Sequence, residues 1–107
     1  MKQDEFVTSS GNVFADLGLE NSDEELGKAK LALAVRQRIE NKGIDQTEAA
    51  TLLEADPAEL AQLLRGQVGA FTYDRLLRFL NALGVSARII IEPTADHSRG
   101  KTLVTAL

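Results

Sequence analysis

The fold is decided by residues 46–66, Gln46-Thr47-Glu48-Ala49-Ala50-Thr51-Leu52-Leu53-Glu54-Ala55-Asp56-Pro57-Ala58-Glu59-Leu60-Ala61-Gln62-Leu63-Leu64-Arg65-Gly66. Asp45 precedes this stretch as a helix N-cap, with Glu48 three residues on. Ala49, Ala50, Leu52 and Leu53 supply an apolar face, and the two alanines let a second helix cross closely. Asp56 caps that second helix, and Pro57 fits its first position, where a missing N–H costs nothing. Leu60, Leu63 and Leu64 form its buried face, and Arg65-Gly66 closes it. Little more than Ala55-Asp56 separates the two, so they meet steeply rather than lying antiparallel.

Upstream, Ser22-Asp23-Glu24-Glu25 reads as a capping box with three acids in the first turn of a helix. Leu26, Ala29, Leu33 and Ile39 continue at helical spacing, with Leu31, Ala32, Ala34 and Val35 between them, and Lys42-Gly43 ends the run. Downstream, 67–71 reads as a loop. Thr72 caps a helix from Tyr73 to Leu83, whose inward face is Leu76, Leu77, Phe79, Leu80 and Leu83, and Gly84 stops it. Val85-Ser86-Ala87-Arg88-Ile89-Ile90-Ile91-Glu92 is rich in β-branched residues and ends at Pro93, which predicts a strand. A lone strand needs a ladder partner. The expectation is pairing with the same strand of a second copy through Val85, Ala87, Ile89 and Ile91. A strand from another protein, or this chain's own tail or arm, stays open.

The chain has 107 residues, one domain's worth, and 44% apolar and 26% charged residues mark it as globular. It divides into an acidic N-terminal arm (1–21), a helix-turn-helix domain with a C-terminal dimerisation strand (22–92) and a flexible tail (93–107). The absence of cysteine excludes disulfides, thiolate zinc sites and cysteine nucleophiles, and the single His97 excludes a His-rich metal site. No nucleophile–base pair, paired-carboxylate pocket or phosphate loop stands out, so neither an enzyme nor a cofactor is expected. No apolar run approaches a membrane span and residues 1–5 lack a signal-peptide core, so the expected location is cytoplasmic. The net charge of −4 is unevenly spread. Residues 1–27 carry one base and seven acids, a net of −6, and residues 28–107 carry eleven bases and nine acids, a net of +2. Local charge sets local affinity, so the overall acidity does not exclude DNA.

Residues 46–66 resemble the lambda-repressor-like, or XRE, helix-turn-helix family. The resemblance rests on Gln46 at the start of the first motif helix, Ala50 at the crossing, Leu60 and Leu63 inside the second helix, and Arg65-Gly66 at its end. A wider resemblance, over about residues 10–92, is to bacterial HigA-type antitoxins. It is carried by residues 10–19, the capped first helix, Leu63-Leu64-Arg65-Gly66, Phe71, and Arg75 through Gly84. It implies a mainly α bundle of four to five helices with one C-terminal strand. It also implies a homodimer that represses its own operon by binding operator DNA and that neutralises a RelE-type ribonuclease toxin.

The candidate DNA-binding residues are Gln46, Thr47, Ala58, Glu59, Gln62, Arg65, Gln67 and Arg75. Gln46 and Thr47 sit at a helix N-terminus, which favours phosphate. Gln62 is able to read adenine bidentately, Ala58 to touch a thymine methyl, and Glu59 to accept from a cytosine amine. Arg65, Gln67 and Arg75 flank the recognition helix, with Lys42, Arg38, Arg78 and Arg88 further out. The family's turn glycine is replaced here by Glu54, and Pro57-Ala58-Glu59 stands where base-reading side chains are usual. Phe14, Asp16 and Leu17 are the candidate toxin contacts, within an acidic arm suited to a basic partner. Two other readings remain: a stand-alone XRE-type regulator, and an interaction module whose helix-turn-helix no longer binds DNA.

Overall fold

The computed structural model describes residues 22–96 and 98–105. Among the described residues four helices follow one another: α1 (Ser22–Lys42), α2 (Gln46–Leu53), α3 (Pro57–Leu64) and α4 (Tyr73–Ala82). The fold is mainly α, as the periodicity predicts. α1 packs against α4 and α3, while α2 packs against α3 and α4. The core they share contains Leu31, Val35 and Ile39 of α1, Ala49, Ala50 and Leu53 of α2, and Leu60 and Leu63 of α3. Phe71 of the loop and Leu76, Phe79, Leu80 and Leu83 complete it.

The helix ends follow their local chemistry. The Asp45 carboxylate accepts from the Glu48 amide at 2.8 Å, and the Glu48 carboxylate accepts from the Asp45 amide at 3.0 Å, a complete capping box. Asp56 accepts from the Ala58 amide at 2.9 Å ahead of Pro57, and the Thr72 hydroxyl accepts from the Arg75 amide at 3.1 Å. The capping contact expected of the Ser22 side chain lies outside the described residues, as do the arm 1–21 and His97.

α1 is buried over less of its girth than the sequence implies. Leu33 is 52% exposed, since among the described residues the helices that pack on α1 are α3 and α4, and they leave it uncovered. Lys28 is only 6% exposed, yet it pairs with Glu24 at 3.2 Å and with Glu25 at 3.8 Å, so its charge is not left uncompensated.

The strand expected at 85–92 does not form among the described residues. Val85 closes α4, donating to the Leu80 carbonyl at 2.9 Å and accepting from the Asn81 amide side chain at 3.0 Å. Beyond it Ile89, Ile90 and Ile91 are exposed. A ladder takes two strands, and the described residues offer no second one. The tail returns to the domain at Val104, which packs on the core and whose carbonyl accepts from Lys30 Nζ at 3.1 Å. Gly27 makes that approach possible. A Cβ there would collide with the Tyr73 hydroxyl and lie 3.0 Å from a Val104 methyl. The Tyr73 hydroxyl donates to the Glu24 carbonyl at 3.1 Å, and burial, followed by the Glu24, Asp23 and Glu25 charges, raises its pKa.

Candidate nucleic-acid interface

α2 and α3 form the two-helix corner. The chain turns between them at Glu54, whose φ of 53° and ψ of 42° place it in the left-handed region. Glu54 is the one non-glycine residue with positive φ among the described residues, at a cost of roughly 1 kcal/mol. The Glu54 and Ala55 amides meet the α2 carbonyls of Thr51 and Ala50 at 3.2 and 2.9 Å. The turn is thus held by backbone bonds, although it lacks the usual glycine.

α3 buries Leu60 and Leu63 and turns Ala58 and Gln62 outward. Arg65 caps its C-terminus and is exposed, with Gln67 exposed just beyond. Gln46 and Thr47 are exposed on the first turn of α2. The Thr47 carbonyl accepts from the Thr51 hydroxyl at 3.2 Å. Among the described residues, the side chains of Gln46, Gln62, Arg65 and Gln67 have no intramolecular hydrogen-bond or ion-pair partner. An open groove brings Gln46 and Arg65 together with Arg36, Ile39, Glu40 and Leu64. Arg36 is absent from the sequence-derived set. Its i, i+4 pair with Glu40, at 3.5 Å, looks in sequence like ordinary surface solvation.

Two of the sequence-derived candidates meet each other. Arg75 grips Glu59 bidentately, at 2.7 and 3.1 Å. Its guanidinium also lies over the rings of Phe71 and Phe79, at 5.2 and 5.4 Å from their centroids. Those rings pack edge to face, 6.3 Å apart. The Arg75 hydrogen bond lowers the Glu59 pKa and the Glu59 bond raises that of Arg75. The arrangement ties the first turn of α3 to α4 and gives each Glu59 oxygen a hydrogen bond from Arg75. It therefore competes with both a cytosine contact by Glu59 and a phosphate contact by Arg75.

The outer cations are similarly divided. Arg38 Nε donates to the Leu83 carbonyl at 3.0 Å, capping α4, and Arg78 pairs with Asp74 at 3.0 Å. Arg88 and Lys42 are exposed. Phe14, Asp16 and Leu17 lie outside the described residues. No helix among the described residues is long and apolar enough to cross a membrane.

A family model described as a helix-turn-helix domain matches residues 13–92. A solved structure described as an XRE-family transcriptional regulator superposes with a TM-score of 0.69 at 25% identity. The match covers 81% of this chain and 97% of the other. No curated protein matches. With a corner built as the sequence predicts and a family match over most of its length, the chain belongs to the helix-turn-helix domain family.

Proposed function

We propose that this chain is a DNA-binding transcriptional regulator that lays α3 in the major groove and acts as a homodimer in the cytoplasm. The observation that carries this reading is the outward face of the corner. Gln62 and Arg65 are exposed there, with no partner among the described residues, beside Gln46 at the start of α2. Gln62 is suited to adenine, and Ala58 to a thymine methyl. Arg65, Gln67, Gln46 and Thr47 suit phosphates, which position the protein and supply affinity without specificity. Glu59 and Arg75 serve the interface by holding α3 in place. A dimer would set two α3 helices about one turn of DNA apart, or a multiple of it.

The test is a titration of the purified protein against its own upstream DNA at low and moderate salt. Specific binding that falls steeply with salt is expected. Gln62→Ala should cost about 1–3 kcal/mol and relax one base position, while Arg65→Ala should weaken all sequences alike and reduce the salt slope by about one per subunit. No binding at low salt would overturn the DNA reading and leave an interaction module.

The charge distribution favours a second role, neutralising a basic RelE-type ribonuclease toxin. The first 27 residues hold a net of −6, and complementary potential speeds association and disfavours wrong partners. Phe14 and Leu17 would be the apolar anchors, with Asp16 between them. Loss of toxin affinity on deleting residues 1–21 would support this role, and unchanged affinity would sink it.

A further inference from the structure

The segment after α4 is self-complementary in one register. Among the described residues, no backbone group from Ser86 to Glu92 pairs with another. Ile89, Ile90 and Ile91 are 71%, 72% and 89% exposed. Arg88 and Glu92, four apart, have no ion-pair partner among the described residues. The odd positions start from Val85, which packs against the core, and continue through Ala87, Ile89 and Ile91. The even positions carry Arg88, Ile90 and Glu92. Alternation therefore separates an apolar face that begins on the domain from a face with one charge of each sign.

We infer that two copies pair antiparallel through this segment with Ile90 on the two-fold axis, so that Arg88 of each copy lies opposite the partner's Glu92. The inference rests on the dimer proposed above and specifies its interface. Residues directly opposite in an antiparallel pair share a face, so the odd apolar residues of both copies gather on the domain side. Ile89 then opposes the partner's Ile91. Neighbouring registers do worse. With Ile89 or Ile91 on the axis both Arg88–Glu92 pairs are lost, with Arg88 on the axis two arginines face each other, and with Glu92 on the axis two glutamates do. Parallel in-register pairing sets Arg88 beside the partner's Arg88. Pro93, which cannot donate to a ladder, falls at the end of the pairing, opposite the partner's Ala87. An isologous interface requires this reciprocity, in which each contact occurs twice.

The experiment follows dimer dissociation of the full chain by sedimentation equilibrium at low salt. Arg88→Glu and Glu92→Arg are each expected to weaken the dimer on the order of tenfold, since each turns two attractive cross-strand pairs into repulsive ones. An equimolar mixture of the two variants is expected to form a heterodimer of about wild-type strength, because both pairs become attractive again. The chain has no cysteine, so Ile90→Cys introduces a lone thiol that should cross-link copies faster than Ile89→Cys. Variants that dimerise as the wild type does, or a mixture no tighter than either variant, would overturn the register while leaving the dimer. A wild-type chain that stays monomeric at all concentrations would overturn the dimer itself.

Discussion

The second helix of the corner, α3, and the segment 85–92 lie in the same small domain and meet opposite fates. α3 is capped by Asp56, buries Leu60 and Leu63, and has its first turn held to α4 through Glu59 and Arg75. Each of those needs is met by the chain itself. The segment 85–92 carries five apolar residues in eight, yet beyond Val85 its isoleucines meet solvent. Both are short, and their backbones account for the difference. A helix closes its hydrogen bonds internally, whereas a strand has to find them elsewhere. Among the described residues, the backbone of α3 is satisfied and that of 86–92 is not.

The largest expected effect breaks the satisfied half. Leu60 is fully buried, so Leu60→Ala should cost about 2–5 kcal/mol in urea unfolding. Ile91→Ala should stay within about 0.5 kcal/mol under conditions that keep the chain monomeric. Similar losses at the two sites would erase the contrast.

Gly27 tests whether the tail belongs to the satisfied half. Gly27→Ala pushes a methyl into the Tyr73 hydroxyl and the Val104 side chain, and should cost about 1–3 kcal/mol by thermal unfolding. An unchanged melting temperature would mean that α1, α4 and the tail do not converge there.

The Arg75 clamp gives a smaller effect with a pH signature. Arg75→Ala should cost about 1 kcal/mol, since the pair is well aligned but partly exposed. The Glu59 pKa is lowered in the folded state. Its contribution is therefore present above the ordinary carboxylate range and lost as pH falls through the lowered folded value. Melting curves from neutral to acid pH should show wild type and Glu59→Gln converging at the acid end. Arg75→Ala should also leave the salt slope of DNA binding unchanged, whereas loss of a direct phosphate contact would reduce it.

The smallest effect lies at the turn. Glu54→Gly removes the left-handed penalty at φ 53° but adds unfolded-state entropy. A net gain of up to about 1 kcal/mol in thermal unfolding is expected, and a loss would show that the Glu54 side chain contributes something the backbone does not.

The local structure of the corner is legible in the sequence where neighbours in sequence are neighbours in space. The Asp45–Glu48 capping box, Asp56 ahead of Pro57, and the bond between Thr72 and the Arg75 amide are set within three residues. The exposure of Gln46, Ala58, Gln62 and Arg65 follows from helical periodicity. The partnership of Glu59 and Arg75 was not legible in this way. It spans sixteen residues and a loop, so each looked like a free surface charge. Arg36 escaped for a related reason, since its local pair with Glu40 is visible in sequence and its place beside Gln46 and Arg65 is not.

The sequence by itself determined where the helices start and stop and, Leu33 and Leu52 apart, which apolar residues they bury, because caps, glycines and apolar spacing act over a single turn. Tertiary structure alone decided which charges remain available. It joined Arg75 to Glu59, spent Arg38 on the Leu83 carbonyl and tied Val104 to Lys30. An ion pair depends on distances of a few ångströms between side chains far apart in the chain, and only the packing of whole helices fixes those distances.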